Sequence, residues 1–229
     1  MTEVERRYTP GQVEVRGFAA EFAAERRTIG GYAAKFNKPS QNLGGFIERV
    51  APTAFNRSRG NGFPEVRARY NHNDNMLLGT TASRTLRLDV DDVGLVYDVD
   101  VPESRADVYE LVQRGDVSKS SFAFKVIGDD GDEWALSDQN FPQRSLLSVD
   151  LVDVAPVSIP PAYPDTSSGL RSLAAHMQAE FEEVRALAEA GDLRKFFVRT
   201  DSGIKPAKPK TYGAAARMAL LGRKSDPLA

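Results

Sequence analysis

The stretch that decides the fold is residues 86–101, which read LRLDVDDVGLVYDVDV. Apolar residues alternate with polar ones in 86–90 and again in 95–101, on either side of the turn-forming sequence DDVG at 91–94. Period-two alternation is the pattern of a half-buried strand, and two such runs around an Asp- and Gly-rich turn predict a β-hairpin. This hairpin indicates a β-rich fold.

The sequence that follows the hairpin predicts one helix and more strands. Residues 106–112 carry apolar side chains at helical spacing and stop before Gly115, which predicts a short helix ended by a glycine. Residues 121–126, SFAFKV, then alternate so that their three apolar side chains share one face and Ser121 lies on the other. A further strand is predicted between residues 146 and 158.

The chain divides into four segments by composition. Residues 1–12 form an N-terminal extension, and residues 13–164 form the β-rich domain, whose end is marked by closely spaced prolines that forbid helix. Residues 165–200 contain one amphipathic helix from about 169 to 190, with apolar residues at spacings of three and four. Residues 201–229 read as a basic, mobile tail.

Composition excludes several classes of protein. No run approaches the ~18 apolar residues of a membrane span, and no apolar segment follows the N-terminal charges, so we expect no membrane partner, no secretory signal and a cytoplasmic location. The formal net charge of -2 argues against a dedicated nucleic-acid binder. The absence of cysteine rules out disulfides, thiolate nucleophiles and Cys-ligated metals.

Candidate chemistry is confined to a few residues, because the chain has only two histidines. His72 lies in an Asn- and Asp-rich loop, where an imidazole suits a general base, whereas His176 lies on the predicted amphipathic helix and is interpreted as structural. Hydroxyl nucleophiles are offered by Ser118, Ser120 and Ser121 beside the apolar strand, and spacing alone does not choose among them.

A carboxylate would complete a catalytic group of serine and histidine by fixing the tautomer of the histidine. Asp153 and Asp150 both interrupt the apolar run at 146–154, where a buried charge needs a partner, and Asp74 is close to His72 in sequence. A lone histidine with neighbouring Asn and Asp falls short of a zinc ligand set, so no metal and no other cofactor is expected.

Four segments in order resemble the prohead maturation proteases of tailed bacteriophages of the HK97 type, over most of residues 13–164. They are GGYAAKFN at 30–37 with GFIERVAPTAF at 45–55, YNHN at 70–73, RGDVSKSSFAF at 114–124, and LVDVAPVSIPPAYP at 151–164. The family's serine directly precedes a Phe-small-Phe pattern, which is Ser121 here. The same resemblance implies His72 as the base and Asp153 as the orienting acid. Lys119-Ser120 stands where the family often has Gly-Met, which keeps Ser120 as a rival nucleophile.

The resemblance implies a fold, an activity and partners. The fold would be α+β, a mostly antiparallel β-barrel flanked by helices like that of the herpesvirus assemblin proteases, with Ser121 facing outward where a substrate strand can reach it. By the assemblin analogy, Arg144 is a candidate for the oxyanion hole. The activity would be a serine endopeptidase that cleaves the scaffold segment of the phage major capsid protein, and itself, inside the assembling procapsid in the bacterial cytoplasm. The C-terminal helix would pack on the barrel or mediate a homodimer. The alternative is a non-catalytic scaffold or assembly chaperone that binds capsid subunits.

Overall fold

The computed structural model describes residues 3–16, 27–158 and 167–198. The predicted basic tail at 201–229 and the proline-rich end of the domain therefore lie outside the described residues. In chain order the elements are β1 (Glu5–Val15), β2 (Thr28–Lys35), β3 (Ile47–Val50), α1 (Asn56–Gly60), β4 (Arg67–Arg69), β5 (Leu77–Thr80), β6 (Leu86–Val90), β7 (Gly94–Asp100), α2 (Ala106–Gln113), β8 (Lys119–Val126), β9 (Asp132–Leu136), β10 (Pro142–Leu146), β11 (Val149–Val157), α3 (Ser167–Met177) and α4 (Phe181–Glu189).

These strands form two sheets, and the fold class α+β with mostly antiparallel strands is confirmed. The larger sheet has the order β5-β4-β11-β8-β1-β2-β7-β6, in which only the β4–β11 pair is parallel. The smaller sheet has the order β3-β10-β9, with β3 and β10 parallel. The predicted hairpin is present as β6 and β7, which pair from Leu86 opposite Val99 to Val90 opposite Leu95.

The predicted closed barrel is not found among the described strands. Strands β5 and β6 are the two ends of the large sheet and do not pair with each other. The ends approach through side chains instead: the Thr80 backbone N–H donates to Thr85 Oγ1 at 3.0 Å, and a Cβ on Gly79 would lie 2.7 Å from a Val99 methyl carbon. At this point the two ends of the sheet meet through a side-chain hydrogen bond and packing, and not through a backbone ladder.

The apolar core lies on one face of the central strand β8. Phe122 and Phe124 are buried and stacked with ring centroids 5.2 Å apart, and Phe55 packs edge-on against Phe122 at 5.8 Å. Burying an aromatic side chain removes about 150–250 Å² from water, so this cluster is a major part of the stability of the domain. It also fixes which face of β8 points inward.

The C-terminal segment differs from the single helix predicted for residues 169–190. It contains two helices, α3 and α4, because Gln178 has a φ of +53° and the chain turns between them. Both helices bury apolar side chains in a second core together with Phe46 and Trp134 of the smaller sheet; among them are Leu170, Leu173 and Val184.

The N-terminal boundary also differs from the sequence-based one. Strand β1 begins at Glu5, inside the predicted extension 1–12, and pairs with β8 and β2 in the middle of the large sheet. In the first half of β1 the buried members of the alternation are Glu5, Arg7 and Thr9, none of which is hydrophobic. A hydrophobic pattern therefore could not reveal this strand.

Glu5 and Arg7 belong to a buried ion cluster that joins β1 to the smaller sheet. Arg144 contacts Glu5 at 2.6 Å, Glu48 at 3.0 Å and Asp132 at 2.6 Å, and Arg7 contacts Glu48 at 2.7 Å and Glu5 at 2.6 Å. Burial by itself raises the pKa of Glu5, but Arg144 and Arg7 outweigh it and hold that pKa below its usual 4.5. Each of the three carboxylates in the cluster contacts at least one of the two guanidiniums, so every charged group has a partner of opposite charge.

Candidate active site

His72 is held in a short, unusual turn after β4. Residues 70–72 form one 3-10 turn in which both Asn71 and His72 have left-handed backbones, with φ of +53° and +56°. The Tyr70 backbone N–H donates to the Met76 carbonyl at 3.0 Å, which closes the loop at its base. The imidazole is thereby turned back over the sheet, and the residue is only 8 % exposed.

Ser121 and Asp153 lie on neighbouring strands β8 and β11, on the face opposite the phenylalanines. Asp153 reaches this face because β11 contains a bulge between Leu151 and Asp153. Leu151 pairs with Phe124 and, in an unbroken strand, residue 153 would share its inward face. The extra residue, Val152, shifts the register by one, so that Asp153 opposes Ala123 on the side of Ser121.

The three side chains form one chain of hydrogen bonds. His72 Nε2 lies 2.6 Å from Ser121 Oγ, and His72 Nδ1 lies 2.5 Å from Asp153 Oδ1. The Arg7 carbonyl is a second acceptor for the Ser121 hydroxyl, at 2.9 Å. The other carboxylate oxygen of Asp153 forms an ion pair with Arg69, which also pairs with Asp74. A buried carboxylate thus has a cation on one side and an imidazole on the other.

The electrostatics keep the imidazole neutral at physiological pH. Burial, with smaller contributions from Arg6 and Arg69, lowers the pKa of His72 from 6.5 to about 3. A neutral imidazole has one N–H and one bare nitrogen, and the hydrogen bonds set the tautomer: Nδ1–H donates to Asp153 and Nε2 accepts from Ser121. This is the form that can take a proton from a hydroxyl.

Ser121 is not open to solvent, contrary to the expectation of an outward-facing nucleophile. Its exposed fraction is 0 %, as is that of Asp153. Tyr8 stands directly opposite Ser121 in the β1–β8 pair, and its ring lies edge-on to the His72 ring with centroids 6.4 Å apart. The Ser121 hydroxyl is therefore covered in this structure.

The rival residues lie elsewhere. Ser120 is on the inward face, where its hydroxyl is 3.2 Å from that of Tyr97. Asp150 is exposed beside Arg57, and His176 is exposed on α3. Arg144 is buried in the ion cluster with Glu5, which opposes Phe124 in the β1–β8 ladder and so belongs to the inward face. The assemblin analogy for Arg144 therefore does not hold in this structure.

Arg69 is the residue of this site that the sequence reasoning missed. One sequence signal could have pointed to it: Asp153 is a charged residue inside an apolar strand, and a buried charge needs a partner. Arg69 lies at the end of β4, which runs parallel to β11, and Asp153 pairs with Arg67 in that ladder. Only the pairing of β4 with β11 reveals the contact between Arg69 and Asp153.

Among the described residues, no three His, Asp or Glu side chains converge as a metal site.

None of the helices in the described part of the chain has the length and hydropathy that crossing a bilayer requires.

Comparison with known proteins gives the family. No curated protein matches the chain, and no solved structure does. Residues 13–179 match the family described as Caudovirus prohead serine protease, a range that begins near the end of β1 and includes α3. The chain therefore belongs to the caudovirus prohead serine proteases, which implies serine peptidase activity in capsid maturation.

Proposed function

We propose that this chain is a serine endopeptidase that cleaves the scaffold segment of its phage major capsid protein, and itself, with Ser121 as nucleophile, His72 as base and Asp153 as orienting acid. One observation carries the proposal: a continuous hydrogen-bonded path runs from Asp153 through His72 to Ser121. His72 is 81 positions from Asp153 and 49 positions from Ser121 in the sequence. Nucleophile, base and orienting group in this order are the arrangement that serine hydrolases use for acyl transfer.

The mechanism follows from the geometry. Attack requires the Ser121 hydroxyl to direct its hydrogen to His72 Nε2, at 2.6 Å, instead of to the Arg7 carbonyl, at 2.9 Å. Oγ then attacks the carbonyl carbon of the scissile peptide as the proton moves to Nε2. His72 Nε2–H then protonates the leaving amine nitrogen, and the C–N bond breaks to leave an acyl ester on Ser121. Water, deprotonated by His72, attacks the ester, and release of the acid restores the Ser121 hydroxyl.

Asp153 supports the step in which charge appears on the imidazole. The low pKa of His72 means that the cationic form is disfavoured in the resting site. Asp153 accepts the Nδ1–H bond at 2.5 Å and offsets the positive charge that forms during attack. Arg69 pairs with the outer oxygen of Asp153, which supports the ionised form of that buried carboxylate and leaves the inner oxygen for His72.

The proposal is tested by co-expression of the full chain with the major capsid protein of the same phage, followed by intact-mass analysis of both. Wild type is compared with Ser121→Ala and with Ser120→Ala, a matched control on the same strand. We expect the wild type and Ser120→Ala to trim the capsid protein, and Ser121→Ala to leave it intact. Labelling by a fluorophosphonate should follow the same order.

Two other outcomes are informative. If all three chains leave the capsid protein intact while capsids assemble, the non-catalytic scaffold or chaperone role is the better account. If Ser120→Ala alone stops cleavage in a chain that remains folded, the nucleophile is wrong and the protease assignment stands. Whether the chain forms a homodimer, one of the two roles expected for its C-terminal helix, is tested separately by light scattering of the Ser121→Ala chain.

A further inference from the structure

Besides the His72–Asp153 hydrogen bond, the side chain of Asn71 ties the turn that carries His72 to the end of β11. Ser158 directly follows β11, and its backbone N–H donates to Asn71 Oδ1 at 3.0 Å. The Asn71 Nδ2 amide donates in return to Ser158 Oγ at 3.1 Å. One carboxamide therefore both accepts from and donates to the same residue, across 87 positions of sequence.

From this contact we infer that Asn71 is a positioning residue for His72, which fixes the imidazole relative to Asp153 by fastening their two backbone segments together. The inference rests on the proposed function of the His72 site, because it assigns Asn71 a role in that chemistry.

The backbone of the turn explains why a tie is needed. Asn71 and His72 are consecutive residues with left-handed backbones, a conformation that is sparsely populated for residues other than glycine. Asparagine adopts it more readily than most residues, but histidine is held there by its surroundings. Without the carboxamide bonds to Ser158, the turn can relax toward more populated conformations, and the imidazole moves with it.

The tolerance of the site is small. The His72 ring must stay within hydrogen-bond reach of two groups on different strands, at 2.5 Å from Asp153 and 2.6 Å from Ser121. Catalytic side chains must be held to within about 0.5 Å of their productive geometry, and a misplacement of about 1 Å can lower the catalytic rate by about 10²-fold. A tie between the turn and β11 acts directly on the His72–Asp153 distance.

Asn71 contributes little to the core, since it is exposed and its bonds lie at the surface. Its removal should therefore leave the domain folded and change the site selectively. Asn73 is a matched control: it is an exposed asparagine in the same loop, and its Oδ1 accepts from the Asn75 backbone N–H at 2.9 Å. It has no described bond to β11.

The test compares Asn71→Ala, Asn71→Gly, Asn71→Asp and Asn73→Ala in the full chain, with capsid-protein cleavage as the first readout. We expect Asn71→Ala to lower kcat by about 10–100-fold with KM little changed. Asn71→Asp keeps an acceptor for the Ser158 N–H and should recover part of the loss. Asn71→Gly allows the left-handed backbone but has no carboxamide, so it should remain slow, whereas Asn73→Ala should match the wild type.

The second readout does not depend on proteolysis. The chain has only two histidines, so an NMR titration of the imidazoles in the Ser121→Ala background shows two sets of signals, with exposed His176 as the internal reference. We expect the His72 signal to stay constant above about pH 5 in the parent chain and to titrate closer to its ordinary pKa of ~6.5 after Asn71→Ala, as water gains access.

The outcomes separate the two proposals. If Asn71→Gly is as active as the wild type, only the backbone conformation matters and the positioning role of the carboxamide is refuted. If Asn71→Ala changes neither kcat nor the His72 titration, the role is refuted outright. If the wild type cleaves nothing, the proposed function fails, and the titration still decides whether Asn71 holds His72.

Discussion

Replacement of Arg144 by methionine should destabilise the protein more than any replacement of its carboxylate partners. Arg144 makes four hydrogen bonds inside the ion cluster: two to Glu5 at 2.6 and 2.9 Å, one to Glu48 at 3.0 Å and one to Asp132 at 2.6 Å. Methionine fills much of the same volume but carries no charge. Glu5 and Glu48 would then share Arg7, Asp132 would lose its contact with a guanidinium of the cluster, and the formal charge of the cluster would change from -1 to -2.

The magnitude follows from this uncompensated charge. Removing one partner of a buried ion pair destabilises a protein by about 3–5 kcal/mol. For a chain of this size, each kcal/mol lowers Tm by about 2–4 °C, so we expect Arg144→Met to lower Tm by about 6–20 °C. Glu48→Gln is the matched control, because it keeps the shape and brings the formal charge of the cluster to zero. It should lower the free energy of unfolding by only about 1–3 kcal/mol.

The pH dependence gives a second, independent check. In the wild type, the pKa of Glu5 is held below 4.5, so its stabilising contribution is present above pH 4.5 and is lost as the pH falls through the folded-state pKa. In Arg144→Met, burial raises that pKa with less opposition, so the sign reverses and stability is lost as the pH rises through the raised pKa. The deficit relative to wild type should be larger at pH 7 than at pH 4.5.

The assay is denaturant and thermal unfolding by circular dichroism, at both pH values, in the Ser121→Ala background to prevent self-cleavage. Three results would refute the reasoning: a deficit of Arg144→Met under about 1 kcal/mol, an effect of Glu48→Gln as large as that of Arg144→Met, or a deficit that does not change with pH. Any of these would mean that the cluster is more solvated than its burial indicates.

Three further predictions concern the site and the core. Because burial and the nearby arginines lower the pKa of His72 to about 3 and the neutral form is the base, kcat/KM should stay nearly constant from about pH 5 to 8 and fall only in more acidic solution. A half-loss near pH 6.5 would contradict this. Asp153→Asn should lower kcat by about 10³–10⁴-fold, because the amide favours the wrong imidazole tautomer; a loss under tenfold in steady-state kinetics would remove the orienting role. Phe122→Ala should reduce the free energy of unfolding by about 3–5 kcal/mol, since the ring is 2 % exposed between Phe55 and Phe124, and urea titration at neutral pH measures it.

Local patterns in the sequence were sufficient for several elements. The hairpin of β6 and β7 and the end of α2 before Gly115, whose φ is +82°, follow from alternation and from a glycine at a helix end. The opposite faces of Ser121 and Phe122 follow from period two along β8. Each of these depends only on residues close together in the chain.

The candidate site needed more than local pattern. The resemblance to the prohead proteases pointed to His72, Ser121 and Asp153, but alternation along an unbroken strand would turn Asp153 inward with Leu151. The bulge that reverses this depends on how β11 pairs with β8, and an apolar run such as LVDV carries no mark of it. Arg69 and the Asn71–Ser158 contact were missed for the same reason, since both depend on where the segments around β4 lie relative to β11.

Local patterns in the sequence determined that the domain is β-rich and where several of its strands and turns lie, because alternation, turn residues and helix ends are properties of short segments. The family followed from four motifs in order and from the match over residues 13–179. The tertiary structure alone decided that the large sheet stays open, that charged β1 lies at its centre, and that a carboxylate, an imidazole and a hydroxyl meet on one face of it. The reason is that strand order and register join residues far apart in sequence. The free energy that selects one register comes from burial across the whole sheet rather than from any one strand.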